Sequence, residues 1–172
     1  MATPSGMKTT FRPLVPEDWP AVAEIYRQGI ESGDATFETV VPDWESWNAA
    51  RSPDCRIIAE AGGEIVGFAG LSHVSKRPVY AGVREAMIYI AASARGRGVG
   101  GMLLDRLVQE TEAVGIWTLQ AGIFPENKAS IRIFEKAGFS ILGIHERVGR
   151  FHDGRWRDVV FMERRSAVTG RD

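Results

Sequence analysis

The sequence predicts one α/β domain, a mixed α+β chain built on a mixed sheet with helices on both faces. Apolar runs of strand length alternate with stretches of helical period in the order β-α-α-β-β-β-α-β-α-β-β, which is not a repeating βαβ barrel. Two apolar runs, 55–61 and 64–71, are separated by Gly62-Gly63, a hairpin signal. The chain has 172 residues and shows no internal repeat, linker or low-complexity block, so it is read as one domain large enough for a real core.

Residues 1–7 are expected to be disordered, 8–164 to form the domain, and 165–172 to fray as a flexible tail. Thr9 to Leu14 reads as a first strand, ended by Pro13 and Pro16. Asp18 can cap a helix with Pro20 in its first turn and Val22, Ile25, Tyr26 and Ile30 on its core face, and Gly33 stops it. After the loop Ala35-Thr-Phe-Glu-Thr, Asp43 starts a helix over 44–51 that Ser52-Pro53 ends. The hairpin 55–71 follows, then a connection over 72–82. Strand 83–92 leads into a Gly/Arg turn and a helix over 99–114 that closes near Gly115. Strand 117–121 comes next, and Asn127 caps a helix over 128–137 that Gly138 closes. Strands 139–147 and 156–163 are joined by the turn Phe151-His-Asp-Gly-Arg.

Composition excludes several classes. A net charge of -1 provides no global field to gather nucleic acid. No apolar run approaches membrane-spanning length, and MATPSGMKTT lacks the apolar centre of a signal peptide, so a cytoplasmic protein is expected. Cys55 is the only cysteine, which rules out an intrachain disulfide and a thiolate-rich metal site. His73, His145 and His152 lie on separate elements without acidic partners at metal-ligand spacing, so no metal is expected.

The chemistry concentrates around residues 95–101, Arg-Gly-Arg-Gly-Val-Gly-Gly, between an apolar strand and a helix. Closely spaced glycines let the backbone turn sharply so that free N–H groups at the helix start can meet one anion, and Arg95 and Arg97 add charge. A phosphate site is the expectation; the alternative is a glycine-rich corner with surface arginines. Gly96-x-Gly98-x-x-Gly101 formally matches a dinucleotide fingerprint. However, it lies past the middle of the chain, no carboxylate ends the next strand, and too little chain follows for a second nucleotide half. A Walker A loop fails because no Gly-Lys-Ser/Thr is present.

Here the residues carry a family likeness. Arg95-x-x-Gly98-x-Gly100 after an apolar strand resembles the acyl-CoA pyrophosphate loop of the GNAT N-acetyltransferases, and 127–139, Asn-Lys-Ala-Ser-Ile-Arg-Ile-Phe-Glu-Lys-Ala-Gly-Phe, resembles their second signature. The likeness covers about residues 9 to 164 and implies the GNAT acyl-CoA N-acyltransferase fold, in which a central sheet splays open and acetyl-CoA lies in the gap. It implies that the backbone of Met87, Ile88, Tyr89 and Ile90 bonds the pantetheine amides. The segment Arg95, Gly96, Arg97, Gly98, Val99, Gly100 and Gly101 would take the pyrophosphate, with Asn127 and Ser130 near the pantetheine and phosphate arms. A narrower likeness is carried by Arg77-x-x-Tyr80, by 83–89, and by 149–159. It points to the phosphinothricin and arsinothricin N-acetyltransferases, with methionine sulfoximine and sulfone acetyltransferases as relatives.

That branch implies acetylation of the α-amine of a small glutamate-like amino acid by a homodimeric enzyme. An amine that arrives protonated needs a base, and Glu85 is placed one residue before the cofactor-binding part of its strand. The alternative for Glu85 is an edge carboxylate paired with Arg84 or Arg77. Period-2 alternation sets Arg84 on the opposite face from Glu85. A backbone N–H near Ile88 or Tyr89 would meet the developing oxyanion. No tyrosine follows Tyr89, so the acid that protonates the leaving thiolate is left open. Arg77, Tyr80 and Phe37 are expected around the acceptor, with Arg77 alternatively a solvated loop arginine. A peptide N-acetyltransferase, a non-catalytic CoA-binding module and a nucleotide-binding module are the rival readings.

Overall fold

The structure, a computed structural model, describes residues 8–172; the expected disorder of 1–7 falls outside them. Seven strands form one sheet in the order β1-β2-β3-β4-β5-β7-β6. These are β1 (Thr9–Pro13), β2 (Ile57–Ala61), β3 (Glu64–His73), β4 (Val83–Ile90), β5 (Thr118–Ile123), β6 (Ser140–Arg150) and β7 (Trp156–Arg165). Four helices complete the fold: α1 (Trp19–Ser32), α2 (Trp44–Ala50), α3 (Val99–Ala113) and α4 (Lys128–Lys136). The β4–β5 pair is parallel and every other neighbouring pair is antiparallel, which makes the sheet mixed.

Helices cover both faces because the strands alternate. Along β4, Ala86, Ile88 and Ile90 join the cluster that Leu103, Leu104 and Leu107 of α3 build with Phe134 of α4. Met87 and Tyr89 turn the other way, onto Val22, Ile25 and Tyr26 of α1 and Trp47 of α2. Glu85 shares the parity of Met87 and Tyr89, so it belongs to the α1/α2 side.

What positions the site is a defect in the sheet. β4 pairs with β3 from Arg84 to Ile90, but with β5 only over Val83 to Glu85. Beyond Glu85 and Gln120 the two parallel strands part, and β5 instead follows β7 as far as Ile123. The β5-facing main-chain groups of β4 after Glu85 therefore have no ladder partner.

Several local expectations shift. Asp18 does precede α1, but its side chain does not cap it. The carboxylate turns back to Arg12 in a bidentate pair of 2.7 and 2.8 Å and accepts from Val15 N–H, because a buried carboxylate gains more from a guanidinium fork than from one helix N–H. β2 starts at Ile57, not at Cys55, whose φ of 56° is incompatible with a strand. β3 runs on to His73, and β5 is displaced toward Ile123. β6 reaches Arg150 and β7 reaches Arg165, so the closing hairpin is longer than the pattern suggests. Ser166 is buried, with its hydroxyl 2.8 Å from Glu112 of α3, so the first part of the 165–172 segment packs on the domain.

Candidate active site

The turn after β4 is built as the glycines require. Gly96 and Gly98 have φ of 74° and 79°, a region that costs a side-chain residue roughly 1–2 kcal/mol, and Gly98 is the N-cap of α3. A Cβ at Gly96, Gly98 or Gly101 would meet no other atom within 4 Å, so the concave side of the turn is open. Arg95 and Arg97 are exposed, with Arg95 Nε 3.4 Å from the Ile90 carbonyl. No side chain satisfies the first N–H groups of α3 through its N-cap. An open glycine cradle, a helix N-terminus without a side-chain cap and two exposed arginines suit a pyrophosphate.

A cavity of about 520 Å³ occupies the gap where β4 and β5 part. It is lined by Glu85, Met87, Ile88 and Tyr89 of β4, by 121–123 of β5, and by Phe37 and its loop. Asn127 and Ser130 are part of the same wall. Asn127 accepts from Ser130 N–H at 3.2 Å, capping α4, and its amide donates to the Asp34 carbonyl at 3.3 Å. One residue thus ties the helix to the loop that carries Phe37. Phe37 stands edge-on to Phe124 at 4.8 Å, and Arg157 covers Phe124 at 3.6 Å. Gly149 allows this approach, since a Cβ there would lie 2.4 Å from the Phe37 ring.

Glu85 opens into the cavity at the last paired rung of β4. The residue is exposed by surface area, yet the protein packed around its carboxyl strips away part of its water. Burial raises its pKa above the ordinary carboxylate range, opposed by the positive charge of Arg51. Burial likewise pushes the Tyr26 and Tyr89 phenols up, so both stay neutral; their rings meet edge-on at 5.0 Å.

The fold brings Glu85, Phe37, Met87 to Tyr89, Asn127 and Ser130 to one cavity, whereas Ile90 and the turn 95–101 follow on from β4 outside its lining. It does not bring Arg77 and Tyr80 there. Arg77 lines a separate surface recess with His73, Lys76 and Arg84, and its guanidinium lies over the exposed Tyr80 ring at 5.5 Å. Arg84 bonds the Ala81 and Val83 carbonyls, away from Glu85. The residues that sequence reasoning missed are Arg51, Tyr26, Glu38 and His145, all of which line the cavity. Tyr26 was readable as a core position of α1. Arg51 reads only as the last residue before a helix stop, and His145 as one of three scattered histidines; here its ring is stacked on Phe161 at 5.0 Å. Among the described residues no three His, Cys, Asp or Glu side chains converge as a metal site.

Such a cleft suits an extended donor that bonds a strand edge through its amides and leaves its phosphates on a helix N-terminus, which makes the protein a group transferase of the acyl-CoA class. The chain belongs to the acetyltransferase (GNAT) family, whose model matches residues 19–139. It is 36% identical over 162 residues to a phosphinothricin N-acetyltransferase of Alcaligenes faecalis, covering 90% of this chain and 81% of that protein. It is 28% identical over 163 residues to an L-methionine sulfoximine/L-methionine sulfone acetyltransferase of Pseudomonas aeruginosa, covering 91% and 94%. The fold matches a phosphinothricin acetyltransferase from Sinorhizobium meliloti, solved in complex with acetyl-CoA, with a TM-score of 0.86, 30% identity, and coverage of 96% of this chain and 92% of the other.

Proposed function

We propose that this amino-acid N-acetyltransferase moves the acetyl group of acetyl-CoA to the α-amine of a small glutamate-like amino acid, such as phosphinothricin or arsinothricin, by direct attack in a ternary complex. The observation that carries the reading is the place of Glu85, at the point where β4 and β5 part and in the lining of the cavity that this gap opens.

Acetyl-CoA supplies an activated thioester. The turn 95–101 and the start of α3 take its phosphates, the unpaired edge of β4 from Met87 to Ile90 takes its amides, and Asn127 and Ser130 flank it. Glu85 removes the proton from the acceptor's ammonium, and its raised pKa brings it closer to that of the amine. A β4 main-chain N–H near Ile88 or Tyr89 meets the oxygen on which charge develops. Cys55 is not a carrier of the acetyl group: it lies outside the cavity, and burial holds its thiol at about 11, protonated at neutral pH.

A second reading rests on charge. Among the described residues Arg51 is the only Lys or Arg in the cavity lining, beside Asp34, Glu38 and Glu85. One guanidinium serves an acceptor with a single anionic group and a neutral distal head, which is the chemistry of methionine sulfoximine and sulfone. Thiol release with acetyl-CoA, measured against phosphinothricin, arsinothricin, methionine sulfoximine, methionine sulfone and a peptide panel, separates these cases. A peptide with the highest kcat/KM would overturn the amino-acid reading. A homodimer is part of the proposal, supported by the apolar side chains Ile141, Leu142, Ile144 and Val148 that edge strand β6 leaves exposed; sedimentation of a monomer at micromolar concentration would remove it.

A further inference from the structure

Arg51 follows the last turn of α2, and three features separate it from an ordinary surface arginine. It is half-buried, yet among the described residues its side chain makes no hydrogen bond and no ion pair, and its Nε is buried without a partner. A half-buried cation that feels Glu85 only at longer range and holds no direct partner is unfavourable unless something supplies one. The usual employment of a cation at a helix C-terminus is already taken. Arg56 donates to the Asn48 carbonyl at 3.0 Å, the Arg51 carbonyl at 3.0 Å and the Ser52 carbonyl at 2.8 Å, so the free carbonyls at the end of α2 belong to Arg56.

The second feature is a shared aromatic. The Arg51 and Arg56 guanidiniums lie 6.0 and 5.3 Å from the Trp47 ring centre. Two like charges around one indole disfavour each other, and no carboxylate is paired with either of them. The third feature is direction. Arg51 lines the same cavity as Glu85, whereas Arg56 does not. Asp34 and Glu38 are the other carboxylates of the lining, but both are exposed on the loop and neither is paired with Arg51.

We propose that Arg51 is the acceptor's carboxylate anchor: it grips the α-carboxylate of the amino acid whose α-amine faces Glu85. Amine and carboxylate share one carbon atom, so the group that holds the carboxylate must lie in the same recess as the base. Arg51 is the one guanidinium that does. Glu85 and Arg51 thus present a negative and a positive group to the two ends of an α-amino acid zwitterion. This complementarity selects a free amino acid against an amine or a peptide N-terminus, whose first residue has lost its carboxylate to an amide. The inference rests on the amino-acid reading above and names the residue that enforces it.

The experiment compares the best amino-acid acceptor with its α-carboxamide, using wild type, Arg51→Gln and Arg51→Lys. Wild type is expected to favour the acid over the amide by about a hundredfold in kcat/KM, the loss that follows when a buried charge is left unpaired. In Arg51→Gln that ratio should collapse toward one, while Arg51→Lys, which keeps the charge and loses the fork, should retain a ratio near tenfold. The ratio is internal to each sample and does not depend on how much of a variant folds. Binding of acetyl-CoA, read by calorimetry, should be the same in all three. If wild type acetylates the carboxamide as well as the acid, or if Arg51→Gln keeps the wild-type ratio, the anchor is refuted while the amino-acid reading stands. If wild type acetylates peptides and no free amino acid, both fall.

Discussion

Glu85 is held where ionisation is unfavourable, in a recess bounded by Tyr26, Tyr89 and the loop that carries Phe37, with Arg51 as the charge that partly offsets this. As the base it must be ionised, so kcat/KM should rise with pH along a limb set by a carboxylate pKa above the ordinary range. Glu85→Gln should remove that limb and lower kcat by about a hundredfold or more, with acetyl-CoA affinity nearly unchanged; full activity across pH would exclude the role. The same shift has a sign for stability. A carboxyl whose folded pKa is raised contributes most below its unfolded pKa, and that contribution is lost as pH rises through the folded value. Above that window the neutral glutamine should therefore melt no lower than wild type, which thermal unfolding checks. Cys55→Ser should keep nearly full turnover, since a protonated thiol outside the cavity has no part in transfer.

At the level of elements, two joints hold the site. The first is the turn between β4 and α3. Gly98→Ala puts a side chain at φ 79° and should cost about 1–2 kcal/mol in chemical denaturation. Because the N-cap of α3 shifts with it, acetyl-CoA affinity should fall while the Glu85 limb of the pH profile stays in place. The second joint links β1, β2 and the start of α1. Arg12 pairs with Asp18 at 2.7 Å and with Glu60 at 2.8 Å. The Arg12 hydrogen bonds hold the Asp18 carboxyl below its usual range. With a lowered folded pKa, the stability from Asp18 is present above its unfolded pKa of about 4 and is lost as pH falls through the folded value. Asp18→Asn should cost about 2 kcal/mol at neutral pH, and much less once the medium is acid enough to protonate the wild-type residue.

Over the whole molecule, the order of elements, the glycine turn, the Asn127 cap and the strand face of Glu85 were legible in the sequence because each rests on local rules. Positive φ calls for glycine, a helix start calls for a side-chain acceptor, and strand alternation sets Glu85 with Met87 and Tyr89 against Arg84. These patterns determined the fold class and the turn proposed as the donor's seat. The parting of β4 from β5 after Glu85 is invisible in either strand alone, because it depends on which neighbour each backbone follows. Arg51 and Arg77 show the same limit from opposite sides. Arg77 stands close to Glu85 in the chain but turns to another face, while Arg51 stands 34 residues away, a separation read from its number and that of Glu85, and lines the same cavity. The sequence by itself determined the turn and helix N-terminus that are proposed to hold the donor, since both are built by consecutive residues. Only the tertiary structure decided what surrounds Glu85, since that recess is assembled from α1, α2, a loop and β4, and their meeting is fixed by the packing of Trp47, Phe68 and Tyr89.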